Sequence, residues 1–169
     1  MYTLLISSIL ILVLILIMRH FAKIYLHVSE DLPYRKKTYF FTRSEYEFFQ
    51  ILRNELNQTK YVIFPKVRLG DYVEVSLTTQ KRLQHWNRIK SRHIDFIIWD
   101  TETGTIKLAI ELDGNSHNTN KSIHDDNFKN MLFEKIDITL IRIKVGSDFI
   151  DEIKKLTQIL QIENTIKWW

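Results

Sequence analysis

Residues 2–18, YTLLISSILILVLILIM, contain no charged side chain. As a helix rising 1.5 Å per residue, this run spans roughly 26 Å, slightly short of a ~30 Å hydrocarbon core. Tyr2 and Phe21 can sit at the two interfaces, and slight bilayer thinning covers the difference. Residues 1–19 therefore read as an N-terminal transmembrane anchor. A cleaved export signal is the rival, but the usual basic start and small-residue cleavage site are not visible. Arg19, Lys23 and Arg35-Lys36-Lys37 all follow the apolar run. The positive-inside rule then predicts a single-pass cell-membrane protein whose C-terminal part is cytoplasmic.

The 169-residue chain has enough length beyond the anchor for one further domain. It has no cysteine, so any metal must be held by carboxylates or histidines. Four glycines and two prolines argue against low complexity, and a net charge of +4 permits an anionic partner without demanding one.

Residues 20–41 read as a juxtamembrane connector, 42–162 as the domain and 163–169 as a tail. Thr42-Arg43-Ser44-Glu45 forms a capping box, and Phe48, Phe49, Leu52 and Leu56 continue a helix to about residue 57. Tyr61–Val67 and Tyr72–Leu77 alternate as strands, with Pro65 marking an edge or a bend. Residues 78–92 read as a basic connection. Strands at His93–Trp99 and Ile106–Asp113 flank the turn Thr101-Glu102-Thr103-Gly104-Thr105. A helix follows over 125–136, then the β-branched run Ile138–Val145, which reads as a central strand. Gly146-Ser147-Asp148 ends that run and caps a last helix through Phe149, Ile153, Leu156 and Leu160. The order predicts an α/β (α+β) domain, a mixed sheet flanked by helices.

With Glu102-Thr103-Gly104 as a three-residue loop and Gly104 left-handed, Asp95 faces Glu111 and His93 faces Asp113. Alternation puts Asp95, Glu111 and Asp113 on one hairpin face. Ile94, Phe96, Ile98, Leu108, Ile110 and Leu112 lie on the other. Opposed like charges about 5 Å apart repel, and a shared Mg²⁺ or Mn²⁺ would remove that penalty. A solvated acidic face is the alternative. Glu45 lies on the apolar side of its helix, which aims its carboxylate toward the sheet.

A helical glutamate, an aspartate in HIDFIIWD and Glu-x-Asp-Gly in AIELDG together resemble the restriction-endonuclease-like PD-(D/E)xK superfamily. More closely, PYRKKTYFFTRSEYEFFQIL, FPKVRLGDYVEV, HIDFIIWD, AIELDGNSH, DDNFKNMLFEKIDI and LIRI resemble the domain of unknown function 2726 family, over roughly residues 33–145. The step from LDG to His117 is similar to very-short-patch-repair endonucleases. The resemblance implies an endonuclease-like core hydrolysing phosphodiester bonds with Mg²⁺ or Mn²⁺. Glu45, Asp95, Glu111, Asp113 and His117 would be catalytic, with Asp95, Glu111 and Asp113 as metal ligands. The family's lysine two residues after the glutamate is Asp113 here. Lys107, Lys129 or His117 are the available substitutes.

Between Glu74 and Asp95 there is no acidic residue. Lys81, Arg82, Arg88, Lys90 and Arg92 surround Trp86, a pattern that suits a phosphate-tracking groove with a stacking platform. A solvated loop or a patch resting on anionic lipid has the same composition. Nucleic acid, DNA ahead of RNA, is the expected partner, and the membrane is the other through residues 2–18. A binding module without catalysis and a membrane-anchored interaction domain remain open beside the nuclease.

Overall fold

The structure, a computed structural model, describes residues 2–28, 32–114 and 120–165. It divides into two units, residues 1–40 and residues 41–169.

The first unit is built on α1 (Tyr2–Val28). Within it Leu5–Tyr25 is long and apolar enough to cross a membrane, a test that a signal sequence also passes. From Leu5 to Ile24 its described leucines and isoleucines are exposed, as a lipid-facing helix requires.

The second unit contains α2 (Arg43–Glu55), β1 (Tyr61–Arg68), α3 (Arg82–Ile89), β2 (His93–Asp100), β3 (Thr105–Asp113), α4 (Asn120–Lys135), β4 (Thr139–Lys144) and α5 (Phe149–Thr165). Its sheet runs β1-β2-β3-β4. The first two pairings are antiparallel, and β4 joins β3 in parallel. The expected mixed sheet with flanking helices is the architecture found.

One core lies between the sheet and the pair α2 and α5. Phe48 and Leu52 meet Phe96, Ile98, Leu108, Ile110, Ile143, Ile153 and Leu156 there. The other lies where Leu69, Val73 and α3 and α4 residues Ile89 and Phe133 cover Ile94, Ile97 and Ala109. Ile94 thus departs from the expected Phe96 face.

Three elements differ from the sequence reading. Tyr72–Leu77 is not a strand. A 3₁₀ turn over Leu69–Asp71 precedes it, and Tyr72 and Val73 donate back to the Leu69 carbonyl rather than to a ladder. Its alternation reflects Val73 dipping into the second core. The basic connection contains α3, which starts from left-handed Lys81 with no side-chain cap and buries Ile89. Without a capping residue, its start carries no sequence signal. The β-branched run forms an edge strand rather than a central one. β4 is apolar because helices cover both of its faces, which does not require strands on both sides.

Pro65 does lie on an edge strand. Thr42 and Glu45 form the full capping box, with Thr42 N–H donating to Glu45 Oε2 at 2.8 Å. Asp148 accepts from Ile150 N–H at 2.9 Å and caps α5. That helix runs to Thr165, past the domain end expected at 162.

Candidate active site

The hairpin between β2 and β3 closes at Asp100↔Thr105, so its loop has four residues, Thr101–Gly104, instead of three. Gly104 has φ +68 and takes the left-handed position. A bulge between Ile98 and Trp99 absorbs the additional residue. Beyond it the pairs are Ile98↔Leu108, Ile97↔Ala109 and Phe96↔Ile110. The paired ladder ends at Phe96↔Ile110, with Asp95 and Glu111 the next residues along the two strands. Asp95 stands between Ile94, which packs in the second core, and Phe96, which packs in the first, and its charge reaches Glu111.

Asp95 Oδ2 accepts the Leu112 backbone N–H at 2.9 Å, which fixes one carboxylate oxygen to β3. Its Oδ1 lies 3.7 Å from Lys66 Nζ. Glu111 is buried, and Lys129 of α4 donates to its Oε1 at 2.6 Å. Burial raises the Glu111 pKa above its ordinary value. The Asp95 charge adds to the rise, while Lys129 and Arg142 oppose it. The Tyr72 hydroxyl is buried and has no hydrogen-bond partner among the described residues. Burial first, and then the Glu111 charge, raise its pKa.

Glu45 sits at the first turn of α2 with its carboxylate between Thr42 N–H and Lys66 Nζ. Burial is the largest single influence and favours the neutral acid. Lys66 and Thr42 together outweigh it and lower the pKa. Lys66 lies in β1 at φ +56, a left-handed value uncommon for residues other than glycine. Sequence reasoning passed over this lysine. Its one trace is a charge inside the apolar run YVIFPKV.

Asp113 is paired with a cation. Arg142 of β4 donates to Asp113 Oδ1 at 3.0 Å and to Asp126 Oδ1 at 3.1 Å. The parallel register Glu111↔Arg142 brings the guanidinium there. Asp126 lies inside α4, which begins at Asn120. Among the described residues, no group of three or more acids and histidines converges as a metal cage. His117 lies outside the described residues.

The six basic-stretch residues divide into two sets. Lys81, Arg82, Trp86 and Lys90 are exposed on or beside α3. Trp86 packs over Gly70, where an added Cβ would lie 3.1 Å from the indole. With Arg82, Leu83, Val75 and Leu77 it lines a groove of about 920 Å³. Arg88 and Arg92 instead stack on Phe128 of α4, at 4.1 and 5.2 Å from its centroid. Arg92 also binds Asp125 at 2.5 Å. These two arginines hold α3 to α4 while leaving a positive rim around Trp86.

The family description "Protein of unknown function (DUF2726)" matches residues 37–161. The chain belongs to this family. The match takes in every candidate side chain described above, from Glu45 to Arg142. No curated protein and no solved structure matches the chain.

Proposed function

We propose that this DUF2726 protein is a membrane-tethered, Mg²⁺- or Mn²⁺-dependent nuclease with a restriction-endonuclease-like core. One observation carries the reading: the Asp95 charge is felt at Glu111, and the Lys129 ammonium lies 2.6 Å from Glu111. The positive charge that the superfamily pattern places two residues after the glutamate arrives from α4 instead. Lys107 is four residues from Glu111, roughly 13 Å along the strand, which favours Lys129 for this part.

The donor set fits Mg²⁺. This ion is commonly held by one or two carboxylates, with waters and phosphate oxygens completing the octahedron. Asp95 through Oδ1 and Glu111 would hold it, and the unpartnered Tyr72 hydroxyl would meet a bound water or phosphate oxygen. When bound, the ion acidifies a water and offsets charge on the scissile phosphate. Phosphodiester hydrolysis adds a water across a P–O bond, with hydroxide bonding to phosphorus and a proton passing to the departing oxygen. Lys129 steadies negative charge on the phosphoryl oxygens, while the Leu112 amide keeps Asp95 aimed. Asp113, bound by Arg142, positions α4 rather than holding the ion. Lys81, Arg82 and Lys90 would bind phosphates, and Trp86 would stack a base. The basic residues after residue 18 favour a cytoplasmic domain behind the anchor.

The test is cleavage of single- and double-stranded DNA and RNA by the full chain in detergent with Mg²⁺ or Mn²⁺. Asp95→Ala should abolish cleavage. Equal activity in that variant refutes catalysis at this site. Salt-sensitive binding without any cleavage identifies a binding module instead.

A further inference from the structure

We infer that the Lys66 ammonium is a built-in cation between Glu45 and Asp95, so that the site accepts one divalent ion, at Asp95 and Glu111, rather than two. This rests on the metal-dependent reading above.

Lys66 Nζ pairs with Glu45 Oε1 and lies 3.7 Å from Asp95 Oδ1, linking the two acids. Both Glu45 oxygens are thereby engaged, since Oε2 accepts the Thr42 amide at 2.8 Å. The Glu45 charge is thereby already balanced by an ammonium. Asp95 Oδ2 is likewise held by Leu112, which leaves Oδ1 as its available ligand atom. A second divalent ion sharing Asp95 from the Glu45 side would meet the ammonium at close range.

The backbone supports the assignment. Pro65↔Phe96 and Val67↔Ile94 lock the strand on both sides of Lys66, directly across from Asp95. Lys66 keeps its left-handed φ of +56 within that ladder. Such a conformation persists only where its surroundings enforce it. Here it brings the side chain to both carboxylates.

The probe is Mn²⁺, counted per chain by equilibrium dialysis and by the signal of free Mn²⁺ in electron paramagnetic resonance. The full chain is kept in detergent micelles. The native chain should bind one ion, Lys66→Met two, and Lys66→Arg one. Two ions on the native chain overturn the inference, as does a count of one for Lys66→Met. If Met at this φ prevents folding, judged by far-ultraviolet circular dichroism, Lys66→Asn replaces it, because asparagine tolerates the left-handed region. That variant should also bind two ions, and a count of one overturns the inference. Absence of Mn²⁺ from the native chain, or binding unaltered by Asp95→Ala, refutes the metal-dependent reading itself.

Discussion

Replacing Lys129 with Met removes one charge and keeps the aliphatic stem in place. Glu111 is then left without its nearest cation, with side chains at this pair only 10% and 14% exposed for Glu111 and Lys129. An unpaired buried carboxylate costs about 3–5 kcal/mol when it cannot escape ionisation. Glu111 can escape by taking a proton. From its ordinary value of 4.5, protonation at pH 7 costs about 1.36 kcal/mol per unit, a ceiling of about 3.4 kcal/mol. Burial has already raised its pKa, so the loss must fall below that ceiling. The sign with pH follows. In the variant the folded-state pKa rises further above the unfolded value, so relative stability is full below about pH 4.5 and declines as pH rises toward the folded value. Urea midpoints of the full chain in detergent, read by tryptophan fluorescence at pH 7 and pH 4.5, measure both ends. The deficit should be largest at pH 7 and nearly absent at pH 4.5. Adding Glu111→Gln to the variant should recover most of it. A deficit above about 3.4 kcal/mol, or one unchanged between the two pH values, refutes the electrostatic account.

Phe48 is fully buried and packs against Phe96 and Phe149 at 5.4 and 5.3 Å, so Phe48→Ala should cost about 3–5 kcal/mol in the same urea assay. Glu45→Gln retains a residue able to complete the capping box but discards the Lys66 ion pair. Because the native Glu45 pKa is lowered, the cost should be full at neutral pH and shrink as pH falls below 4.5. Arg82→Ala and Lys90→Ala should each weaken DNA binding across sequences and reduce the salt-dependence slope by about one, measured by fluorescence anisotropy. Unchanged slopes would remove α3 from the nucleic-acid surface.

Where a period or a cap carried the information, the sequence was readable. The hairpin pattern brought the Asp95 charge to Glu111, and Thr42 with Glu45 announced the start of α2. Contacts between distant elements were less legible. Lys129 was one of three possible replacements for the absent lysine, and only the packing of α4 on β3 singles it out. Arg142 meets Asp113 through a parallel register that no local pattern encodes. Lys66 was missed because its role follows from a left-handed backbone, which a lysine does not advertise. The apolar alternation of Tyr72–Leu77 came from one-sided burial of an irregular segment, a pattern that a strand also produces.

The bulge at Ile98 and Trp99 acts as a phase correction between the turn and the acids. On the turn side the pairs are Asp100↔Thr105 and Trp99↔Ile106. Extended unbroken, that phase would align Asp95 with Ile110 and rotate Glu111 into the aromatic layer under α2 and α5. A single residue of slack, taken up 10 Å or so from the carboxylates, therefore decides which side of the sheet is acidic. Deleting one residue from Thr101–Gly104 need not disturb the acids if the bulge is removed with it. Removing the bulge while keeping the four-residue loop would leave a folded sheet with its two carboxylates on opposite sides.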